Sequence, residues 1–205
     1  MSAEGGKFVG MVDMNPGIEQ LMLNQLHQLL FDILLTTDGR TTDLLETLLD
    51  EKMTVQVVRQ QQIDAADIDI GAGLSGGPYY LRESVLTGDR TGFAVSHNYA
   101  IVCSRCVPPA MFEALAAKQD GIGKTIQSLG IQTSRRLSEC GWRSDGAIVD
   151  LFGEPAKLSF PDRQAASNVP FKRYAIYFGE EPGIHLLEYF NPDIVRHRLL
   201  RGGDW

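Results

Sequence analysis

The chain has 205 residues, 43% of them hydrophobic, and a net charge of −7. This length suits one substantial core, so we expect a single domain over residues 1–205. The absence of any basic run argues against a nucleic-acid partner, because the phosphate backbone requires clustered Lys and Arg. The longest apolar stretch, 29–35, is too short to cross a bilayer, so we expect no membrane partner. Neither a signal peptide nor a disulfide framework is visible, so we expect a cytoplasmic location.

The N-terminal quarter predicts two helices and a strand. Residues 1–15 are predicted to be a loose leader. Apolar residues at helical spacing over 18–35 predict an amphipathic helix. A turn at 36–43 with several candidate N-caps then precedes a short helix at 44–49. The alternating, β-branched segment 53–58 predicts a strand.

The middle of the chain predicts an antiparallel hairpin. An acidic and then glycine-rich loop over 64–77 leads into residues 78–86, whose aromatic and β-branched residues predict a strand. Residues 87–92 are typical of a turn, and 93–102 predict the second strand.

Helices and a further hairpin complete the prediction. Prolines open a predicted helix at 108–117, and a second short helix is predicted at 121–129. Residues 134–142 predict a strand, and the proline-punctuated stretch 143–170 predicts an irregular insertion.

The chain closes with a hairpin over 173–178 and 183–190, followed by a basic tail at 196–201 that we expect to be solvated. Strands joined by tight turns, with helices between hairpins, predict an α+β fold with an antiparallel sheet.

Three short motifs do not have the context that their chemistry needs. Gly71–Gly76 matches the dinucleotide pattern G-x-G-x-x-G, but Pro78 and a strand follow instead of a helix. The segment 121–125 lacks the first glycine of a phosphate-binding loop, since that position is Lys118. The C-x-x-C pair, Cys103 and Cys106, has no second ligand pair for zinc, so we expect two ordinary cysteines and no metal.

Two predicted strands each place one charge among apolar neighbours. Arg82 lies in the first strand of the central hairpin, and Glu188 in the last strand. Burying either charge without a partner or ligand is costly. We therefore expect both to face one pocket, with Arg82 binding an anion and Glu188 a polar group. The alternatives are a structural ion pair for Arg82 and a solvent-facing edge position for Glu188.

His97 is the histidine with a candidate catalytic role, because it lies on the strand predicted to pair with that of Arg82. The alternative is a strand histidine held by hydrogen bonds. His185 lies three residues before Glu188 and is therefore expected on the opposite face of that strand.

The order of these elements resembles the chorismate–pyruvate lyase family over residues 35–192. Leu-Arg-Glu-Ser-Val-Leu is similar to the family's central L-R-x-V-x-L strand. The closing hairpin is similar to its R-x-Y-x-I…G-x-P…I-x-E-x-F-P pattern, with one residue inserted before the last proline. The resembling segments are 35–46, 81–89, 120–126, 135–141 and 173–192.

The resemblance implies an antiparallel sheet whose helical flaps close over a sequestered ligand. It also implies cleavage of chorismate to 4-hydroxybenzoate and pyruvate without a metal or organic cofactor. Arg82 would bind the ring carboxylate, and the turn at Ile122 and Gly123 would add a backbone N–H. Arg40 falls where a flap amide of the family does the same.

Glu188 would accept a hydrogen bond from the ring hydroxyl, and Arg135 or Arg136 would bind the second carboxylate. His97 departs from the family, whose better-known members have an arginine there, and residues 143–170 have little counterpart. Both differences are expected near the enolpyruvyl end, where they put the identity of the substrate in doubt.

Three functions are therefore compared: a chorismate lyase, an enzyme of the same fold acting on another carboxylated intermediate, and a ligand-binding domain without catalysis. All three predict a small carboxylate as partner, and a monomer is possible. The third ranks last, because regulators that carry a related fold join it to a DNA-binding domain, and only about 35 residues precede the matching region.

Overall fold

The computed structural model describes residues 16–63, 78–117, 120–161 and 168–201. The predicted leader at 1–15, the glycine-rich motif at 71–76 and the loop at 64–77 lie outside the described residues. Within the described ranges the elements, in chain order, are α1 Pro16–Thr36, α2 Thr41–Leu49, β1 Met53–Ile63, β2 Tyr79–Gly88, β3 Ala94–Cys103, α3 Pro109–Ala116, α4 Ile122–Ser128, β4 Ser134–Arg143, β5 Val169–Tyr177, β6 Pro182–Phe190 and α5 Ile194–Arg201.

The six strands form one antiparallel sheet in the order β1-β2-β3-β6-β5-β4. The strands β1 to β3 and β4 to β6 make two halves, which are joined where β3 pairs with β6, from Ser96 opposite Phe190 to Val102 opposite Ile184. Both predicted hairpins are present, and the α+β prediction with an antiparallel sheet is confirmed.

Helices cover one face of the sheet through two hydrophobic clusters. α3 and α4 contribute Met111, Leu115 and Ile126 to a cluster with β3, β5 and β6. α1, α2 and α5 pack in a second cluster around Phe31 and Phe190. In the described part of the chain, no helix is both long and apolar enough to cross a membrane.

The irregular segment after β4 covers the other face of the sheet. Ile148, Leu151 and Phe160 belong to a cluster with inward residues of β2, β3, β5 and β6. The Tyr189 hydroxyl donates to the Val149 carbonyl at 2.7 Å and accepts from the Val149 N–H at 3.1 Å. The described part of the predicted insertion is therefore a structural cover, because an uncovered apolar sheet face would be exposed to water.

The C-terminal segment is a helix, which the sequence interpretation did not predict. The side chains of residues 196–201 in α5 are exposed or half-buried, as expected, whereas the preceding Ile194 and Val195 are buried. Its His197 ring stacks on Phe93, and Arg201 Nη1 lies 2.9 Å from the buried Glu51 carboxylate. The basic residues therefore accompany an apolar face, and the helix packs against the domain.

The start of α2 also differs from prediction. Its N-cap is Arg40, which makes no side-chain capping hydrogen bond, although threonines and an aspartate stand nearby. The Thr41 hydroxyl is instead used inside the protein, as described below.

Candidate active site

A cavity of about 590 Å³ lies over the helix-covered face of the sheet, between α2 and α4. This volume is within the range of small-molecule sites. The cavity is partly open to solvent, whereas the family resemblance implies full enclosure. Six of the residues proposed from the sequence line it: Arg40, Arg82, Ile122, Gly123, Arg135 and Glu188. Arg136, the alternative to Arg135, does not line it and lies over the Tyr177 ring instead.

Arg82 is only 2% exposed, and neutral acceptors fix its guanidinium. Nη1 donates to Gln60 Oε1 and to the Leu115 carbonyl, both at 3.0 Å, and Nη2 donates to the Asp120 carbonyl. Of its five N–H groups, Nε and one on Nη2 have no acceptor among the described residues. A guanidinium can bind a carboxylate through its Nε and Nη2 groups, so Arg82 keeps donors for such a contact.

Burial lowers the pKa of Arg82, and the nearby Asp120 carboxylate opposes this effect. The shift reflects a guanidinium that is taken out of water while its direct partners carry no charge. Within the described residues, no carboxylate lies in ion-pair distance of Arg82. The alternative of a structural ion pair is therefore not supported by the described residues.

Local ion pairs neutralise most of the other charges that line the cavity. The pairs are Arg40–Asp43, Lys52–Glu46 at 2.5 Å and Lys124–Asp120 at 2.7 Å. Arg82 and Arg135 remain as the cavity's uncompensated cations among the described residues, and Arg135 donates to the Asp38 carbonyl at 3.1 Å. The cavity is thus locally positive in a protein of net charge −7.

Glu188 lies across β3 from Arg82 and faces the same cavity. β3 separates the two strands, with Ala100 opposite both Arg82 and Leu186, so that Glu188 lies two residues further along β6. The small Ala100 side chain leaves the space between the two charged groups open.

A buried lysine stands behind Glu188. Lys172 is 2% exposed, and its Nζ lies 3.8 Å from Glu188 Oε2. Nζ also donates to Thr41 Oγ1 at 2.9 Å and to the Leu34 carbonyl at 3.1 Å, at the end of α1. Burial lowers the pKa of Lys172, and the Glu188 carboxylate opposes this shift. Lys172 thus connects Glu188 to both α1 and α2.

Tyr174 and Thr41 complete the surroundings of Glu188. The Thr41 hydroxyl donates to Glu188 Oε2 at 3.4 Å. Burial, followed by the Glu188 charge, raises the pKa of Tyr174 well above its usual value, with Arg135 opposing. The phenol therefore stays protonated, so a hydrogen-bond donor faces the carboxylate.

One polar atom on β3 has no partner among the described residues. Asn98 Nδ2 donates to Ser96 Oγ at 3.1 Å, while Asn98 Oδ1 is buried and unpaired. Both residues line the cavity. Asn98 is therefore a candidate ligand contact that the sequence interpretation did not include.

The structure does not bring His97 to the cavity, which corrects the expected catalytic position. Since Ala100 is the residue opposite Arg82, His97 falls on the other face of β3. Its Nδ1 accepts from the Ser159 N–H at 3.0 Å, and its Nε2 donates to Glu83 Oε1 at 2.9 Å. Burial lowers the pKa of His97, and Glu83 opposes this shift. With both ring nitrogens hydrogen-bonded, the surroundings of His97 are those of a structural histidine.

Comparison with curated proteins gives one relative. The chain is 25% identical, over 165 residues, to the chorismate pyruvate-lyase of Mycobacterium leprae, covering 77% of this chain and 72% of the relative. The chain is a distant relative of a chorismate pyruvate-lyase. The family resemblance predicted from the sequence is thereby confirmed, although no family model matches the chain.

Solved structures of similar shape include PhnF and a transcriptional regulator of the GntR family. PhnF of Mycobacterium smegmatis has a TM-score of 0.49 at 14% identity and covers 86% of this chain and 84% of its own. A GntR-family regulator of Bacillus cereus has a TM-score of 0.43 at 10% identity and covers 69% of this chain and 92% of its own. Neither similarity is close enough to bear on function.

The C-x-x-C pair does not line the cavity. Cys103 and Cys106 bring their sulfurs to 2.8 Å at the end of β3, and no metal-binding cluster occurs among the described residues. Burial, followed by Cys103 and Glu181, raises the pKa of Cys106 to about 12. Cys106 is therefore a protonated thiol, which is a poor nucleophile.

Proposed function

We propose that this protein is a lyase that eliminates pyruvate from chorismate or a close structural relative, releasing 4-hydroxybenzoate, without a cofactor. The observation that supports this proposal is the placement of Arg82 and Glu188 on opposite sides of Ala100 in one cavity of about 590 Å³. At one side is a buried cation that has no charged partner among the described residues, and at the other is a buried acid. This pair suits a ring with a carboxylate and a hydroxyl group.

Each group has a role in this proposal. The free fork of Arg82 binds the ring carboxylate, with the backbone N–H at Ile122 as a second donor. Glu188 accepts a hydrogen bond from the ring hydroxyl, supported by Lys172 and Thr41. Arg135 supplies the positive charge for the carboxylate of the enolpyruvyl group.

These few charged and polar groups are sufficient for the elimination of pyruvate. The bond between the ring carbon and the ether oxygen breaks, so that this oxygen leaves with the enolpyruvyl group. The ring carbon that bears the hydroxyl loses a proton, which ends on the departing enolpyruvate and gives pyruvate. The ring becomes aromatic, which supplies the driving force. The protein has to fix the conformation of the ring and stabilise charge that develops on the departing group. Fixed arginines can do both, because their orientation costs no reorganisation during the reaction.

The other reaction considered from the sequence depended on His97 and residues 143–170. Both the histidine and the described part of that segment lie on the face away from the cavity. Within the described residues, these two departures from the family pattern therefore lie outside the cavity.

The test is to incubate the purified protein with chorismate and to quantify 4-hydroxybenzoate by chromatography and pyruvate by an enzymatic assay. We expect equal amounts of both products from the wild type and none from Arg82→Ala. Arg59→Ala, an exposed arginine on β1 outside the cavity, is the matched control and should retain full activity. Tight binding of 4-hydroxybenzoate without any turnover would overturn the lyase and favour a ligand-binding domain.

A further inference from the structure

The helix α1 is apolar on two opposite faces. One face packs against the domain through Phe31, Leu34 and Leu35, all of which are buried. The opposite face carries Met22, Leu26, Leu29 and Ile33, which are between 48% and 57% exposed. An apolar face of a helix is normally buried against another element. The outward face of α1 therefore lacks a partner among the described residues.

The exposed side chains are spaced as in a coiled coil. Met22, Leu26, Leu29 and Ile33 follow one another at intervals of four, three and four residues. This is the a/d spacing that places apolar side chains in one row for packing against another helix. We call these four side chains the α1 row.

The area of exposed apolar surface is close to what a stable dimer needs. Ile18, Leu21 and Leu23 flank the α1 row and are 40% to 57% exposed. Together these seven side chains expose on the order of 600 Å², at the upper end for a monomer and near the roughly 800 Å² that each partner of a stable interface buries.

We infer that the α1 row is a self-association surface, through which two copies of this chain pack their α1 helices against each other. In a two-fold dimer the α1 row of one copy packs against the same row of the other, so the surface has to be complementary to itself. Within the span of the row, Gln25 and Gln28 are uncharged, and the nearby Asp32 accepts from Gln28 Nε2 at 2.8 Å. An antiparallel pairing keeps the two Asp32 carboxylates apart. Elsewhere two copies of net charge −7 repel each other, which favours contact through this uncharged row.

The test is the mass in solution, measured by sedimentation equilibrium over two decades of protein concentration. We expect the wild type to reach twice its 22.6 kDa chain mass and Leu26→Glu/Leu29→Glu to stay at one chain mass. Val58→Glu places the same charge on a side chain of β1 that is 54% exposed, and this control should still dimerise. A milder pair, Leu26→Gln/Leu29→Gln, should weaken the dimer at least tenfold and covers the case in which the glutamates impair folding.

Three results would overturn this inference. One is a wild type that remains monomeric at every concentration. Another is a Leu26→Glu/Leu29→Glu variant, folded by circular dichroism, that is still dimeric. The third is a wild-type monomer that dimerises only after residues 1–15 are removed, because those residues would then be the partner of the α1 row. Ligand binding in the cavity is a separate measurement, so the outcome does not depend on the proposed lyase activity.

Discussion

Lys172 Nζ lies 3.8 Å from Glu188 Oε2, and the Thr41 hydroxyl contacts both groups. Lys172 also donates to a carbonyl in the last turn of α1, where helices leave their C=O groups without intrahelical partners. A single buried ammonium thus contacts the Glu188 carboxylate, the end of α1 and the start of α2. Changes at Lys172 should therefore affect the fold and the cavity together.

We predict that Lys172→Met destabilises the protein by about 3 kcal/mol, because Glu188 is left as a buried charge without its cation. Urea denaturation measures this change in the free energy of unfolding. Lys52→Met is the matched control, since the exposed Lys52–Glu46 pair contributes less than about 1 kcal/mol. The double variant Lys172→Met/Glu188→Gln should recover at least about 1 kcal/mol of the loss. Additive effects of the two changes would contradict the proposed coupling.

We predict that Arg82→Lys weakens binding of 4-hydroxybenzoate by about a hundredfold, because an ammonium keeps the charge but cannot form the bidentate contact. Isothermal titration calorimetry measures the dissociation constant. The control Arg59→Lys, at an exposed position on β1, should leave binding unchanged. Unaltered binding by the Arg82 variant would remove Arg82 from the site.

We predict that Glu188 recognises the ring hydroxyl, so that the wild type binds 4-hydroxybenzoate about tenfold more tightly than benzoate. Glu188→Gln should reduce this preference while leaving the affinity for benzoate nearly unchanged. The ratio of the two affinities is the measurement, because it cancels general effects on the cavity. A preference that survives in Glu188→Gln would assign the hydroxyl to another group, such as Asn98.

We predict that stability falls as the pH decreases from about 6.5 to 5, a range in which unfolded carboxylates remain ionised. Burial lowers the pKa values of His97, His185 and His197 in the folded state, so the unfolded chain takes up protons that the native state does not. His97→Gln should flatten this dependence by at most about 1.4 kcal/mol per pH unit. Urea denaturation at several pH values measures the slope.

The same variant tests the position of His97. Because its ring contacts Glu83 and Ser159 on the face away from the cavity, His97→Gln should retain ligand binding at neutral pH. Loss of binding without loss of stability would contradict this placement.

The sequence predicts the strands well because their alternation and turns are local features. The cavity position of Arg82 and Glu188 follows from the cost of burying a charge, which is also visible locally. The position of His97 cannot be predicted from such local features, because it depends on which residue of β3 pairs with Arg82. A register shifted by one residue would have turned the His97 ring to the cavity, and nothing in 93–102 fixes that register.

Lys172 shows a second limit of sequence interpretation. It alternates with Tyr174 and Ile176 along β5, a local sign that it is buried. Its partners, however, come from α1, α2 and β6, more than a hundred residues away in two cases. The sequence also does not predict that residues 144–161 cover the sheet, because contacts between distant segments leave no local pattern.

The pairing of β3 with β6 has a consequence for how a ligand affects the molecule as a whole. Arg82 belongs to the three strands on one side of this junction, and Glu188 and Arg135 belong to the three on the other. The proposed ligand, bound by all three residues, connects the two halves of the sheet. Its binding then stabilises the junction between β3 and β6. Amide hydrogen exchange along this junction should therefore slow more than at the outer edges of β1 and β4.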